Sequence, residues 1–224
     1  MKLLTLDTST EACTCALYVD GDISQRFEIA PRRHTELILP MAEALLAEAD
    51  LRPTQLDAIA FGQGPGSFTG IRIACGVTQG IAFAADIPAI PISSLATLAQ
   101  TAFLTHQATQ VLTAFDARMQ EVYFAHYQLD NNKVMQCVSE EVVCSPDQVT
   151  IPTTQNWFGA GEGWQSYQTA LLHRLGKYVT DYQSELYPQA KAMIPLALAA
   201  FEQNKVVSAE HVLPRYLRNK VADK

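Results

Sequence analysis

Charge is sparse in this chain. Of 224 residues 17% are charged, and 23 acids against 16 bases leave a formal net charge of −7. A protein that grips nucleic acid unaided presents a basic face. Here any service to nucleic acid needs a partner that supplies the grip. No apolar run reaches the roughly 18 residues of a membrane span. The N-terminus lacks the basic region, apolar region and cleavage site of a secretory signal. The expected address is the cytoplasm, with no membrane partner.

Metal and nucleophile chemistry are equally thin. The five cysteines, Cys13, Cys15, Cys75, Cys137 and Cys144, include no C-x-x-C. Cys13 and Cys15 share one face of a predicted strand. They read as a metal pair or as buried thiols in a reducing compartment, and the second reading is preferred. The histidines, His34, His106, His126, His173 and His211, form no i,i+4 pair, so no His-based metal site within one helix is visible. There is no G-x-S-x-G. The glycine-rich "GQGPGSFTG" lacks the G-K-[ST] ending of a P-loop and the distal acid of a dinucleotide site. No metal and no cofactor are expected.

What is present is an ordered succession of elements. Apolar runs at 3–6, 13–19 and 23–29, divided by short turns, predict three antiparallel strands. A helix is expected over 35–49, with Pro40 inside it. A strand follows at 57–62. "GQGPGSFTG" then opens a second helix capped by Ser67, with Gly64 and Gly66 relieving a tight turn. "IPAIPI" is a strand, and a third helix starts from Ser93 or Ser94. This is βββαβαβα. The pattern then restarts. "VLTAFDARMQEVYFAHYQLDNN" parallels "LLTLDTSTEACTCALYVDGD", each with a strand ending in aspartate, Asp7 or Asp116. "KVMQCVSEEVV" supplies a third strand and "WFGAGEGW" a fourth. Helices are expected near 165–175 and, with Pro195 as entry residue, 196–202. The predicted lobes are 1–105 and 106–224, the second ending in a basic tail, Arg215, Arg218 and Lys220.

The duplicated turns raise the question of phosphate. A turn that clamps phosphate uses glycine for close approach and N–H groups for binding. Asp7-Thr8-Ser9-Thr10-Glu11 has hydroxyls, no glycine and an extra acid. Asp116-Ala117-Arg118-Met119-Gln120 has one guanidinium and no glycine. Both read as weak or vestigial ligand turns, with Asp7 and Thr10 bonding their own backbones.

The second helix is apolar almost all round, so it needs cover on two sides. One side is its own sheet. The other holds Arg72, Gly76, Gln79 and Phe83, flanked by Cys75 and Gly80. On the first helix, His34, Ile38, Leu39, Met41, Ala42, Leu45, Leu46 and Ala49 span an arc of roughly 200°, wider than one core stripe. The surplus is either a contact surface or is covered by the second lobe or the third helix.

A duplicated βββαβα unit is the plan of the actin/Hsp70-ATPase-like (RNase H-like) α/β fold, here with an abbreviated second lobe. "LTLDTST", "GPGSFTGIRI", "AIPISSLATLA", "FDARMQEVY" and "PRYLR" together resemble the TsaB (YeaZ) family over nearly the whole chain. That resemblance implies a non-catalytic subunit for threonylcarbamoyl transfer to N6 of adenosine 37 in tRNAs that read codons starting with A. It implies a heterodimer with the catalytic subunit TsaD through the two first-lobe helices, a homodimer on the same face when TsaD is absent, the ATPase TsaE in a ternary complex, and tRNA contact only through that complex. In the related TsaD a pair of metal-binding histidines lies on the helix matching "SSLATLAQTA". No histidine, cysteine or acid stands there, so the resemblance implies no metal. The implied interface is Ile38, Met41, Ala42, Leu45, Arg72, Cys75, Gly76, Gln79 and Phe83. Cys75→Glu or Gly76→Glu is expected to keep the fold and block pairing. The alternative is an active ATPase or sugar-kinase-like phosphotransferase with Asp7, Thr10 and Asp116 around a magnesium nucleotide.

Overall fold

The computed structural model describes residues 1–218; Lys220 of the expected basic tail lies outside them. The chain runs β1 (Lys2–Asp7), β2 (Ala12–Val19), β3 (Asp22–Ile29), α1 (His34–Glu48), β4 (Ala58–Gly64), α2 (Phe68–Ala85), β5 (Ala89–Ser93) and α3 (Ser94–His106). It continues through β6 (Gln110–Asp116), β7 (Val122–Leu129), β8 (Met135–Cys137), β9 (Val142–Cys144), β10 (Trp157–Ala160), α4 (Gly163–Ser166), α5 (Gln168–Leu175), β11 (Val179–Gln183) and α6 (Ala190–Glu202).

Short turns make β1, β2 and β3 an antiparallel meander, whereas helical crossovers bring β4 and β5 in parallel. The first sheet is ordered β3-β2-β1-β4-β5; the second is β11-β10-β6-β7-β8, with β9 also paired to β7. With β6 set on β1, the two orders coincide. The weak sequence repeat is therefore a repeat of topology. The second copy is abbreviated: a short 3-10 turn, Pro146–Gln148, stands where α1 stands in the first.

Three expectations need correction, and one strand is new. The third strand of the second copy is broken into β8 and β9, because Glu140 and Glu141 interrupt its apolar run. The helix expected near 165–175 is split into α4 and α5 at Tyr167. The polar strand β11 has no apolar run to announce it. The last helix starts at Ala190, with Pro195 inside rather than at its entry.

The lobe boundary differs as well. One compact unit comprises 1–97 and 188–214; the other comprises 98–187 and the chain from 215. α6 belongs to the first unit for a local reason. Buried Thr5 donates to the Ala190 carbonyl at 2.8 Å, and buried Thr14 accepts from the Ala190 N–H at 3.1 Å. Ala190 and Ile194 then pack on Ala16.

The main core of this unit joins Leu4, Leu6, Cys13, Cys15 and Leu17 of the sheet to Ile38, Ala42 and Leu45 of α1 and Ala74, Cys75 and Ala82 of α2. By length and composition α2 matches a membrane span, yet Ile71, Ala74, Cys75, Thr78 and Ala82 are buried within the fold. The starts of α2 and α3 follow the hydroxyl rule: Ser67 Oγ accepts from Gly70 N–H, and Ser93, not Ser94, accepts from Ala96 N–H, both at 3.3 Å.

In the second unit Trp157, Trp164, Phe124, Leu112 and Leu171 form the core. The described tail is tied to it. Arg215 donates to the nearly buried Glu141 at 2.8 Å, and Arg218 pairs with Glu121.

Candidate functional site

The first turn is sealed by its own chain. Asp7, Thr8, Ser9 and Thr10 are all buried. Asp7 accepts from Ser9 N–H at 2.7 Å, Ser9 Oγ at 2.6 Å and Ser94 Oγ at 3.0 Å. Thr10 Oγ1 accepts from Ala12 N–H at 3.3 Å. Burial raises the Asp7 carboxyl above its ordinary range, partly offset by these donors. Ser9 carbonyl takes the Ser67 N–H at 2.7 Å, and Thr8 Oγ1 donates to Gly70 carbonyl at 2.7 Å.

Glycine makes this closure possible. A Cβ on Gly62 would stand 1.9 Å from Asp7 Oδ2; on Gly66, 2.4 Å from Ser9 O; on Gly70, 1.9 Å from Thr8 O. Three glycines four residues apart thus let the loop and the start of α2 lie against the turn. The glycine-rich segment touches protein where a phosphate loop would touch ligand. The 62-66-70 spacing is the signal available in the sequence, and of these three only Gly66 is among the glycines expected to relieve the turn.

The second turn is open. Arg118, Met119 and Gln120 all hold left-handed backbone, with φ of 60°, 54° and 60°, each costing about 1–2 kcal/mol outside glycine. Asp116 holds the turn through Arg118 N–H at 2.8 Å and Tyr167 hydroxyl at 2.9 Å. The Arg118 guanidinium, 83% exposed, folds back on the same carboxylate at 3.0 Å. Burial and that carboxylate push the Tyr167 phenol up to about 12.

Burial likewise raises Cys13 and Cys15, with Cys13 at about 12, so both stay thiols. Among the described residues no group of three or more His, Cys, Asp or Glu is arranged to hold a metal.

The nine expected interface residues divide sharply. Ile38, Ala42, Leu45 and Cys75 are turned into the first unit's own core and are corrected as surface anchors: α1 packs on β2 through the stripe His34-Ile38-Ala42-Leu45. Met41 is half-buried. Arg72, Gly76, Gln79 and Phe83 are exposed along α2, Phe83 by 82%. Phe68 of α2 and Leu39 of α1, absent from the expected set, are also exposed. The Arg72 guanidinium lies 3.6 Å from the Phe68 ring centroid, and Gln79 donates to Ala209 carbonyl at 3.0 Å. Gly76 and Gly80 have nothing within 4 Å of a Cβ.

Two sheets of one topology, each with an aspartate where its first strand ends, define the class: a duplicated α/β scaffold of the actin/Hsp70-ATPase-like, RNase H-like fold. Residues 27–223 match the family model described as TsaD: tRNA N6-adenosine threonylcarbamoyltransferase. The tRNA threonylcarbamoyladenosine biosynthesis protein TsaB of Escherichia coli (strain K12) is 43% identical, over 99% of this chain and 96% of that protein. Its namesake in Haemophilus influenzae is 44% identical, over 99% and 95%. The solved structure "YeaZ from Pseudomonas aeruginosa" aligns with a TM-score of 0.90 at 43% identity, over 96% of this chain and 99% of that one. The chain belongs to the TsaB (YeaZ) family, within the wider TsaD family whose model it matches.

Proposed function

We propose that this chain is a non-catalytic subunit in the formation of threonylcarbamoyladenosine in tRNA. It pairs with a TsaD-type catalytic subunit through the exposed line of α2 and the neighbouring surface of α1. TsaE joins the assembly, tRNA is met only through it, and the same face supports a homodimer when the partner is absent. The compartment is the cytoplasm.

The observation that carries the non-catalytic reading is the sealed first turn. An active phosphotransferase of this fold needs that turn open to nucleotide, and here its hydroxyls, carboxylate and carbonyls are spent on Gly70, Ser67 and Ser94. The names of the near-full-length relatives supply the pathway. The exposed α2 line supports the pairing: Phe83 is the kind of large exposed side chain that anchors interfaces, and Gly76 and Gly80 allow close approach of another helix.

The test is reconstitution of tRNA modification with TsaD, TsaE and the threonylcarbamoyl-adenylate donor, with and without this chain. Modification should depend on the chain. Full modification without it, or ATP turnover by the chain alone, would overturn the reading.

A further inference from the structure

Strand β3 ends the first sheet, and among the described residues no strand pairs with its outer edge. Its eight residues alternate between two surfaces. Register with β2 sets Gln25 opposite Ala16 and Phe27 opposite Thr14. These lie on the α6 side, because Ala16 packs on Ala190 and Ile194. Gln25 is engaged there, accepting from Lys191 N–H at 2.9 Å. On the same surface Ile23, Phe27 and Ile29 remain 50%, 38% and 53% exposed. On the opposite, α1 side, Arg26 pairs with Glu48, and Arg33 donates to Glu28 at 2.9 Å.

A long edge strand with uncovered apolar side chains is a template for another strand. We propose that its occupant is the β3 edge of a second copy, antiparallel about a twofold axis at Phe27, joining two five-stranded sheets into one. The charge pattern selects this occupant and this register. With Phe27 facing Phe27, Arg26 faces Glu28 of the other copy, and the pair occurs twice by symmetry. The neighbouring twofold registers oppose Arg26 to Arg26 or Glu28 to Glu28. Gln25 meets Ile29, so the apolar surface continues across the join. The pairing leaves the outer face of α2 free, and it stands independently of the function proposed above.

The test is analytical ultracentrifugation, in a dilution series, of the full chain carrying Phe83→Asp, with circular dichroism to confirm folding. That substitution removes the anchor of the α2-face homodimer proposed above, and the variants below are made in that background. Arg26→Glu and Glu28→Arg, singly, place like charges opposite each other twice and should weaken dimerisation about tenfold or more. The double variant should restore it. So should mixing the two single variants, since each then faces its opposite. Phe27→Lys added to Phe83→Asp should leave a monomer, whereas Phe27→Lys alone should keep only the α2-face dimer. A Phe83→Asp chain that is monomeric throughout the series would overturn the proposal. So would single edge variants that dimerise like the Phe83→Asp chain, or a mixture of them that fails to recover.

Discussion

A single methyl group separates two kinds of glycine in this chain. At Gly70 a Cβ would stand 1.9 Å from a backbone oxygen of the first turn, whereas at Gly76 it would meet nothing within 4 Å. Gly70→Ala is therefore expected to cost about 2–4 kcal/mol. Gly76→Ala, in a solvent-facing helical position, should gain about 0.5–1 kcal/mol. Urea denaturation of the two variants measures the difference, and equal stabilities would mean that the turn does not need its glycine cradle. Asp7 adds a pH signature. Its native carboxyl holds its proton to higher pH than the unfolded one, whose ordinary value is 3.8. The unfolded state therefore gives up its proton first, and stability falls as pH rises from that value through the raised native one. Asp7→Asn keeps the shape and can still accept from Ser9 and meet Ser94. Its denaturation midpoint should lose less than the parent's between pH 4 and neutrality. A steeper loss in the variant would show that the ionised carboxylate is held favourably.

On helices α1 and α2 the periodicity was easier to read than the direction. A helix apolar nearly all round announces two packed sides, but the wheel does not say which side meets its own sheet. Small residues made this worse: Cys75 and Gly76 are neighbours in sequence and lie about 100° apart on the wheel, and one is core while the other is open. Cys75→Glu accordingly changes meaning. It would bury a charge without a partner and is expected to unfold the first unit rather than probe an interface. Phe83→Asp is the sound probe. With Phe83 82% exposed, stability should move by no more than about 0.5 kcal/mol, while affinity for TsaD should fall by about 30-fold or more, as for an interface anchor. Calorimetry with TsaD reads the second effect and a thermal melt the first; unchanged affinity would remove α2 from the proposed interface. Strands were legible where they alternate or are wholly apolar, as in β1 and β6. β11, Val179-Thr180-Asp181-Tyr182-Gln183, has neither mark and takes its place only from pairing with β10.

Across the whole molecule, the repeat of sheet order was readable from two strands ending in aspartate, but the path of the chain between units was not. A linear reading cuts the sequence once. The folded chain passes between its units three times, after Thr97, after Tyr187 and after Pro214. The last two passages depend on contacts remote in sequence: Ala190 held by Thr5 and Thr14 at one, and the tail held by acids of the second unit at the other. "LPRYLR" reads only as a basic tail because nothing local marks Glu141 or Glu121 as its partners. Glu141 is only 5% exposed and is shared by Arg215 and the Tyr127 hydroxyl at 2.5 Å. Arg215→Ala would remove a cation from that nearly buried carboxylate, a loss of about 1–3 kcal/mol once the half-exposure of Arg215 is discounted. Glu141→Gln keeps an acceptor for Tyr127 without a buried charge, so adding it to Arg215→Ala should return most of the stability. A double-mutant cycle by chemical denaturation checks this. If the two losses simply add, Arg215 and Glu141 act separately and the tail is held to the second unit by something other than this pair.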